Sequence, residues 1–77
     1  MSDPIIKLLQ DLRPEEDYSA SEDYFVDGLL DSLDLITLVS ALDRRYGISI
    51  RGVDILPENF RSVAAIRALL SRHGVTA

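Results

Sequence analysis

The chain has 77 residues, of which 47% are hydrophobic and 27% are charged, and its net charge is −5. This is the composition of a globular protein, so residues 1–77 are expected to form a single domain; a disordered tail and a two-domain protein are both excluded. The absence of cysteine excludes disulfides and thiolate metal sites.

The charge is distributed unevenly along the chain. Residues 1–34 hold ten acidic and two basic residues, a balance of −8, whereas residues 35–77 hold three acidic and six basic residues, a balance of +3. An acidic front half repels phosphate backbones, so nucleic acid is not an expected partner and a basic protein surface is a better match. No stretch approaches the roughly 18 consecutive apolar residues that cross a bilayer, so no membrane insertion is expected, and a cytoplasmic monomer is predicted.

The first predicted helix begins at the amino terminus and ends before Pro14. Asp3 can cap this helix, and Pro4 suits its first position because proline lacks the N–H that would be unpaired there. Apolar residues recur on one face of the helix at Ile5, Leu8, Leu9 and Leu12.

Residues 14–31 are polar and acidic and have no helical period, so they are predicted to form a long loop. A loop of this length is usually held by its own apolar residues. Gly28 permits a turn with positive φ just before the next helix. The residues expected to hold the loop against the core are Tyr24, Phe25, Val26, Leu29 and Leu30.

The strongest helical pattern runs from Ser32 to about Tyr46, and Gly47 is expected to end it. Leu33 and Ile36 lie off the centre of its apolar stripe, so part of the apolar surface near the start of this helix is expected to face solvent or a partner. The stripe itself consists of Leu35, Leu38, Val39, Leu42 and Tyr46.

The remainder, from "ISIRGVDILPENFR" onward, is predicted to contain an extended piece, one short helical turn around Val53 to Leu56, and a buried Phe60. A last helix is expected to open at Ser62 and to end near residues 73–74. No segment alternates like a strand over more than three residues. The predicted fold class is therefore all-α: a small bundle of three main helices plus one short helix, with a long loop between the first two.

Ser32 stands between two acids in "GLLDSLDL", at the point where the loop meets the long helix. A serine there can act as an ordinary N-cap, and Asp31 could do the same. The same position would also stabilise a phosphate ester, because unpaired N–H groups and the positive end of the helix dipole converge on it. On the tripeptide Asp-Ser-Leu alone, the cap is the favoured interpretation.

The surrounding stretch, "YFVDGLLDSLDLITLVSALDRRYGISI", resembles the segment of acyl carrier proteins that bears the 4′-phosphopantetheine serine. The order of the predicted helices along nearly the whole chain resembles that family too. The resemblance implies an acyl-carrier-like bundle in which a phosphopantetheinyl transferase moves the 4′-phosphopantetheine group from coenzyme A to Ser32. The thiol at the end of this group would then carry acyl or aminoacyl groups as thioesters. These would be received from a loading ligase or synthase, in fatty-acid, polyketide or specialised biosynthesis.

The same resemblance implies roles for residues near Ser32. Asp31 would lie beside the metal and substrate during the transfer, and Leu33, Asp34 and Ile36 would meet partner enzymes. The alternatives are that Asp31 and Asp34 merely favour the helix dipole and that Leu33 and Ile36 are core. Core packing alone is the favoured role of four residues that are also the candidates for an acyl pocket between the helices: Val39, Leu42, Ile55 and Ile66.

The chain itself is not expected to be an enzyme or to have a metal site. Its one histidine, His73, is far from Ser32 in sequence, so no nucleophile–base pair can be proposed. Ser32 would be a substrate of the transferase. The alternative from another functional class is an unmodified helical adaptor that binds a protein through Leu33, Ile36 and the acidic loop.

Two features depart from the carriers of fatty-acid synthesis. Leu29 and Leu30 stand where those carriers typically have a Gly-Ala-type dipeptide, and the far end of the helix is basic, with Arg44 and Arg45. A partner that recognises a continuous acidic strip would lose attraction there. "GLLDS" looks more like stand-alone carriers of specialised pathways, including D-alanyl carriers.

Overall fold

The computed structural model describes residues 3–75, except for the side chain of Ala20. Its elements are α1 (Pro4–Leu12), α2 (Ser32–Tyr46), α3 (Pro57–Phe60) and α4 (Val63–Arg72), with 3₁₀ turns at Tyr18–Ala20 and Gly52–Asp54. Over these residues there is no strand. The predicted all-α bundle of three main helices and one short helix is confirmed. None of the helices in the described part of the chain is long and apolar enough to cross a membrane.

Local signals set the ends of the three main helices. Asp3 caps α1 by accepting a hydrogen bond of 2.9 Å from the Ile5 N–H, and Ser62 caps α4 by accepting one of 3.1 Å from the Ala65 N–H. Gly47 ends α2 with φ at 64°, the left-handed conformation that glycine adopts without steric cost. These three predictions are confirmed.

The core lies between the apolar faces of α1, α2 and α4, with Phe60 of α3 fully buried as predicted. Each main helix contributes one stripe, so the bundle encloses a single cluster of buried side chains. The helical members of this cluster are Ile5, Leu9, Leu35, Leu38, Val39, Leu42, Phe60, Ile66, Leu69 and Leu70.

Four of the five residues predicted to hold the long loop against the core do so. Tyr24 and Leu30 are buried and Phe25 and Leu29 are partly buried, but Val26 is 80% exposed, so the prediction for Val26 is wrong. The reason is a tight turn in which the N–H groups of Leu29 and Leu30 both bond to the Tyr24 carbonyl, at 2.8 and 3.1 Å. This turn leaves Val26 at its outer tip.

Tyr18 also holds the loop, although the sequence pattern did not indicate it. Its single hydroxyl proton is shared between the carbonyl oxygens of Leu9 and Arg13, at 3.0 and 3.1 Å. Its ring packs edge-to-face on Tyr24 with centroids 5.1 Å apart. The first part of the loop is thereby tied to the end of α1.

The short helix lies later in the chain than predicted. The segment around Val53 is a 3₁₀ turn, and the α-helical turn α3 begins only at Pro57. Pro57 occupies the first helical position, where its missing N–H costs nothing, so this proline starts a helix instead of ending one. The Asn59 side chain donates to the Asp54 carbonyl at 2.9 Å and joins the two turns.

Candidate functional site at the start of α2

Asp31 is the N-cap of α2, and Ser32 is the first residue inside the helix. The Asp31 carboxylate accepts a hydrogen bond of 2.9 Å from the Asp34 N–H. In return, the Asp34 carboxylate accepts one of 3.0 Å from the Asp31 N–H. This reciprocal pair is a capping box in which Asp34 takes the place of the more usual Glu or Gln. The interpretation of Ser32 as the helix cap is therefore wrong, and the capping role belongs to Asp31.

The Ser32 side chain is exposed. Within residues 3–75, its hydroxyl has no hydrogen-bond partner, because the Asp31 carboxylate already serves the first turn. The N–H of Leu35 bonds to the Asp31 carbonyl at 3.0 Å, and the N–H groups of Ser32 and Leu33 have no acceptor among the described residues. A free hydroxyl thus lies beside unpaired donors at the positive end of a 15-residue helix.

Arg13, the residue that caps the end of α1, closes the other side of the capping box. Its Nε and Nη2 atoms lie 3.0 and 2.9 Å from Oδ2 of Asp34. Nη2 also lies 3.6 Å from Oδ2 of Asp31, and Nη1 lies 3.6 Å from a carboxylate oxygen of Glu15. One cation therefore contacts three carboxylates, two of which belong to the cap beside Ser32.

The surroundings of Asp34 favour its ionised form although the side chain is buried. Burial, to 8% exposure, acts to raise the pKa of Asp34. The hydrogen bonds from Arg13 and from the Asp31 N–H, with the attraction of Arg13, outweigh that effect and hold the pKa below its usual value. The hydrogen bond to Asp34 is also the main reason why the pKa of Arg13 is raised.

The four residues near Ser32 that were predicted to take part in the transfer or in partner recognition do not share one environment. Leu33 and Ile36 are 75% and 59% exposed, so the alternative that they belong to the core is wrong. Asp31 is also exposed. Asp34 is instead turned inward against Arg13, so the structure places its side chain in the cap and away from the exposed face.

The predicted acyl-pocket residues lie in the core. Val39, Leu42 and Ile66 are buried, and Ile55 is packed against them at the edge of the cluster. None of the four lines an open groove of about 330 Å³ between α1 and α2. The walls of that groove are formed by Leu8, Asp11, Leu12, Thr37, Leu38 and Ala41. An acyl pocket at the four residues stays a prediction.

Over residues 3–75, no group of three or more potential ligand side chains could hold a metal ion.

The sequence pattern did not indicate Arg13, which contacts both acids of the cap although it lies 21 residues before Asp34 in the chain. The arginine directly before Pro14 reads locally as the end of a helix, and no spacing pattern connects it with Asp34. Only the packing of α1 against α2 brings the two together.

The chain matches one protein family. The family model described as the phosphopantetheine attachment site covers residues 4–70, which include all four helices up to Leu70. No curated protein and no solved structure gave a match.

Proposed function

This chain belongs to the phosphopantetheine-attachment family, and we propose that Ser32 is the residue that carries the group. The family carries covalently attached 4′-phosphopantetheine, and its domains generally act as carriers and not as catalysts. One observation supports Ser32 above all others: its exposed hydroxyl is left free at the tip of α2 because Asp31 serves as the cap.

The surroundings of Ser32 are suited to a phosphodiester. The N–H groups of Ser32 and Leu33 have no acceptor among residues 3–75, and they lie at the positive end of the α2 dipole. In the transfer, a bond forms between the Ser32 oxygen and the phosphorus of the pantetheine phosphate in coenzyme A. The P–O bond to the nucleotide phosphate breaks, adenosine 3′,5′-bisphosphate leaves, and the hydroxyl proton passes to the transferase.

The prosthetic group supplies a thiol, which holds an acyl or aminoacyl group as a thioester. The polypeptide cannot supply this chemistry because it contains no cysteine. The chain's own residues would hold the attachment point outward on a rigid helix end. Leu33 and Ile36, exposed within one turn of Ser32, would contact the transferase and the loading ligase or synthase.

The cargo proposed for this carrier belongs to a specialised pathway. Beyond Asp34, the one acid of α2 is Asp43, which is half-buried and accepts a hydrogen bond of 2.9 Å from the Ile50 N–H. The fully exposed residues of this part of the helix are Ile36, Thr37, Ser40, Arg44 and Arg45. A partner that reads an acidic strip would find little to bind there, whereas a partner with an apolar docking site near Ser32 would find Leu33 and Ile36. A D-alanyl or other aminoacyl cargo is compatible with this surface.

The test is a change in mass. Incubation with coenzyme A, Mg²⁺ and a broad-specificity transferase should add about 340 Da, the mass of the prosthetic group. Ser32→Ala should gain nothing, whereas Ser40→Ala, which removes another exposed hydroxyl on the same helix, should react like wild type. If the wild-type protein stays unmodified while a known carrier is converted, an unmodified adaptor that binds through Leu33 and Ile36 becomes the better explanation.

A further inference from the structure

We propose that Arg13 is a positioning residue for the modification of Ser32: it fixes the start of α2 so that Asp31 serves as the cap and the Ser32 hydroxyl stays free. This inference rests on the proposed function of Ser32. The observation behind it is the arrangement of Arg13, which reaches from the end of α1 to both acids of the capping box, at 2.9 Å from Asp34 and 3.6 Å from Asp31.

Two neighbouring residues compete to cap this helix. Aspartate and serine are about equally good N-caps, so the chain could start α2 after Asp31 or one residue later, after Ser32. In the second case the Ser32 oxygen would accept a hydrogen bond from an N–H group of the first turn. The hydroxyl would then be turned toward its own helix, with one lone pair engaged, and would be a poorer attacking group.

The choice between the two starts depends on the residue three positions after the cap. With Asp31 as the cap, that residue is Asp34, whose carboxylate bonds back to the Asp31 N–H at 3.0 Å. With Ser32 as the cap, it would be Leu35, which has no acceptor to offer. Arg13 holds the Asp34 side chain in this role: three donors, namely the Asp31 N–H and two guanidinium nitrogens, meet on Oδ2 of Asp34.

Arg13 also compensates the negative charge around the attachment point. Asp31 and Asp34 lie side by side, and the modification adds a phosphodiester next to them. Within residues 3–75, Arg13 is the one cationic side chain within 4.0 Å of either carboxylate. Without it, mutual repulsion would push the Asp34 side chain toward solvent and weaken the capping box.

Arg13→Gln tests the inference, with Lys7→Gln as the matched control. Lys7 lies on the same helix and pairs with Asp11 at 3.8 Å on an open surface, away from the cap. Transfer of phosphopantetheine from coenzyme A would be monitored by mass spectrometry, at a temperature where circular dichroism shows that each variant is folded. If a fraction of the molecules has the wrong start of α2, the transferase selects the remainder, so KM for the carrier should rise roughly five- to tenfold while kcat changes little.

Two further measurements separate positioning from support of the fold. Arg13→Lys keeps the charge but not the two-pronged contact, and it should recover part of the loss in kcat/KM. Hydrogen exchange of the Asp34 amide should speed up in Arg13→Gln, because its acceptor is the Asp31 cap. If Arg13→Gln does not fold, Arg13→Lys carries the test through a two- to threefold rise in KM.

The results also separate this inference from the one on which it rests. If wild type gains no mass, the proposed function of Ser32 fails. If wild type is modified and a folded Arg13→Gln shows wild-type kcat and KM, Arg13 only joins two helices and the inference is overturned. A rise in KM for Arg13→Gln that Lys7→Gln does not share supports it.

Discussion

Tyr18 stabilises the loop that leads to Ser32, and Tyr18→Phe removes only its hydroxyl. The ring keeps its contact with Tyr24, while the hydrogen bonds to the carbonyls of Leu9 and Arg13 are lost. The Leu9 carbonyl keeps a second donor, the Arg13 N–H at 2.9 Å, so it is not left unpaired. We therefore expect a loss of about 1 kcal/mol at pH 7. In a domain of this size, that loss lowers Tm by roughly 4–8 °C.

The same hydroxyl makes the difference in the free energy of unfolding between wild type and Tyr18→Phe depend on pH. Burial raises the pKa of Tyr18 from 10.0 to about 12. Because the folded pKa is raised, the stabilisation is complete below the unfolded pKa near 10 and is lost as the pH rises through the folded value. A difference of two between the two pKa values corresponds to about 2.7 kcal/mol in full, of which about 1.4 kcal/mol is lost by pH 11. Tyr18→Phe cannot lose this contribution.

Urea unfolding of both proteins at pH 7 and pH 11, followed by far-UV circular dichroism, measures the two differences. Wild type should be the more stable at pH 7, and the gap should close or reverse at pH 11. Tyr46→Phe is the control, because the buried Tyr46 hydroxyl has no hydrogen-bond partner among the described residues and its removal should cost little. An unchanged gap between wild type and Tyr18→Phe at the two pH values would refute the reasoning.

Three further outcomes are expected. Asp34→Asn should cost about 1–2 kcal/mol in urea unfolding at pH 7. Because the pKa of Asp34 is lowered, its contribution is present above the unfolded pKa near 4 and is lost as the pH falls through the folded value, so the variant should lose less stability on acidification than wild type does. Gly47→Ala should cost about 1 kcal/mol through its positive φ, whereas Gly52→Ala, with open space for a methyl group and an ordinary φ, should be nearly neutral in the same assay. Phe60→Ala should cost about 3–5 kcal/mol and shift the urea midpoint strongly, and a shift no larger than that of Gly47→Ala would contradict its place in the core.

The sequence by itself determined the three main helices and three of their ends, namely the caps that begin α1 and α4 and the glycine that ends α2. Asp3, Ser62 and Gly47 act within a few residues of their own positions, by capping an N–H or adopting a positive φ. Such signals are local, and the sequence displays both partners of each contact. The exposure of Leu33 and Ile36 could likewise be predicted, since it follows from their positions off the apolar stripe.

Other features were decided by tertiary structure, because their partners lie far apart in the chain. Tyr18 is buried because the end of α1 offers two carbonyls to its hydroxyl, and Val26 is exposed because a turn at Tyr24 directs it outward. Which residue caps α2 could not be predicted from "DSLD", where Asp31 and Ser32 are nearly equivalent. The packing of α1 against α2 brings Arg13 to Asp34, and that ion pair favours the start of the helix that leaves Ser32 free.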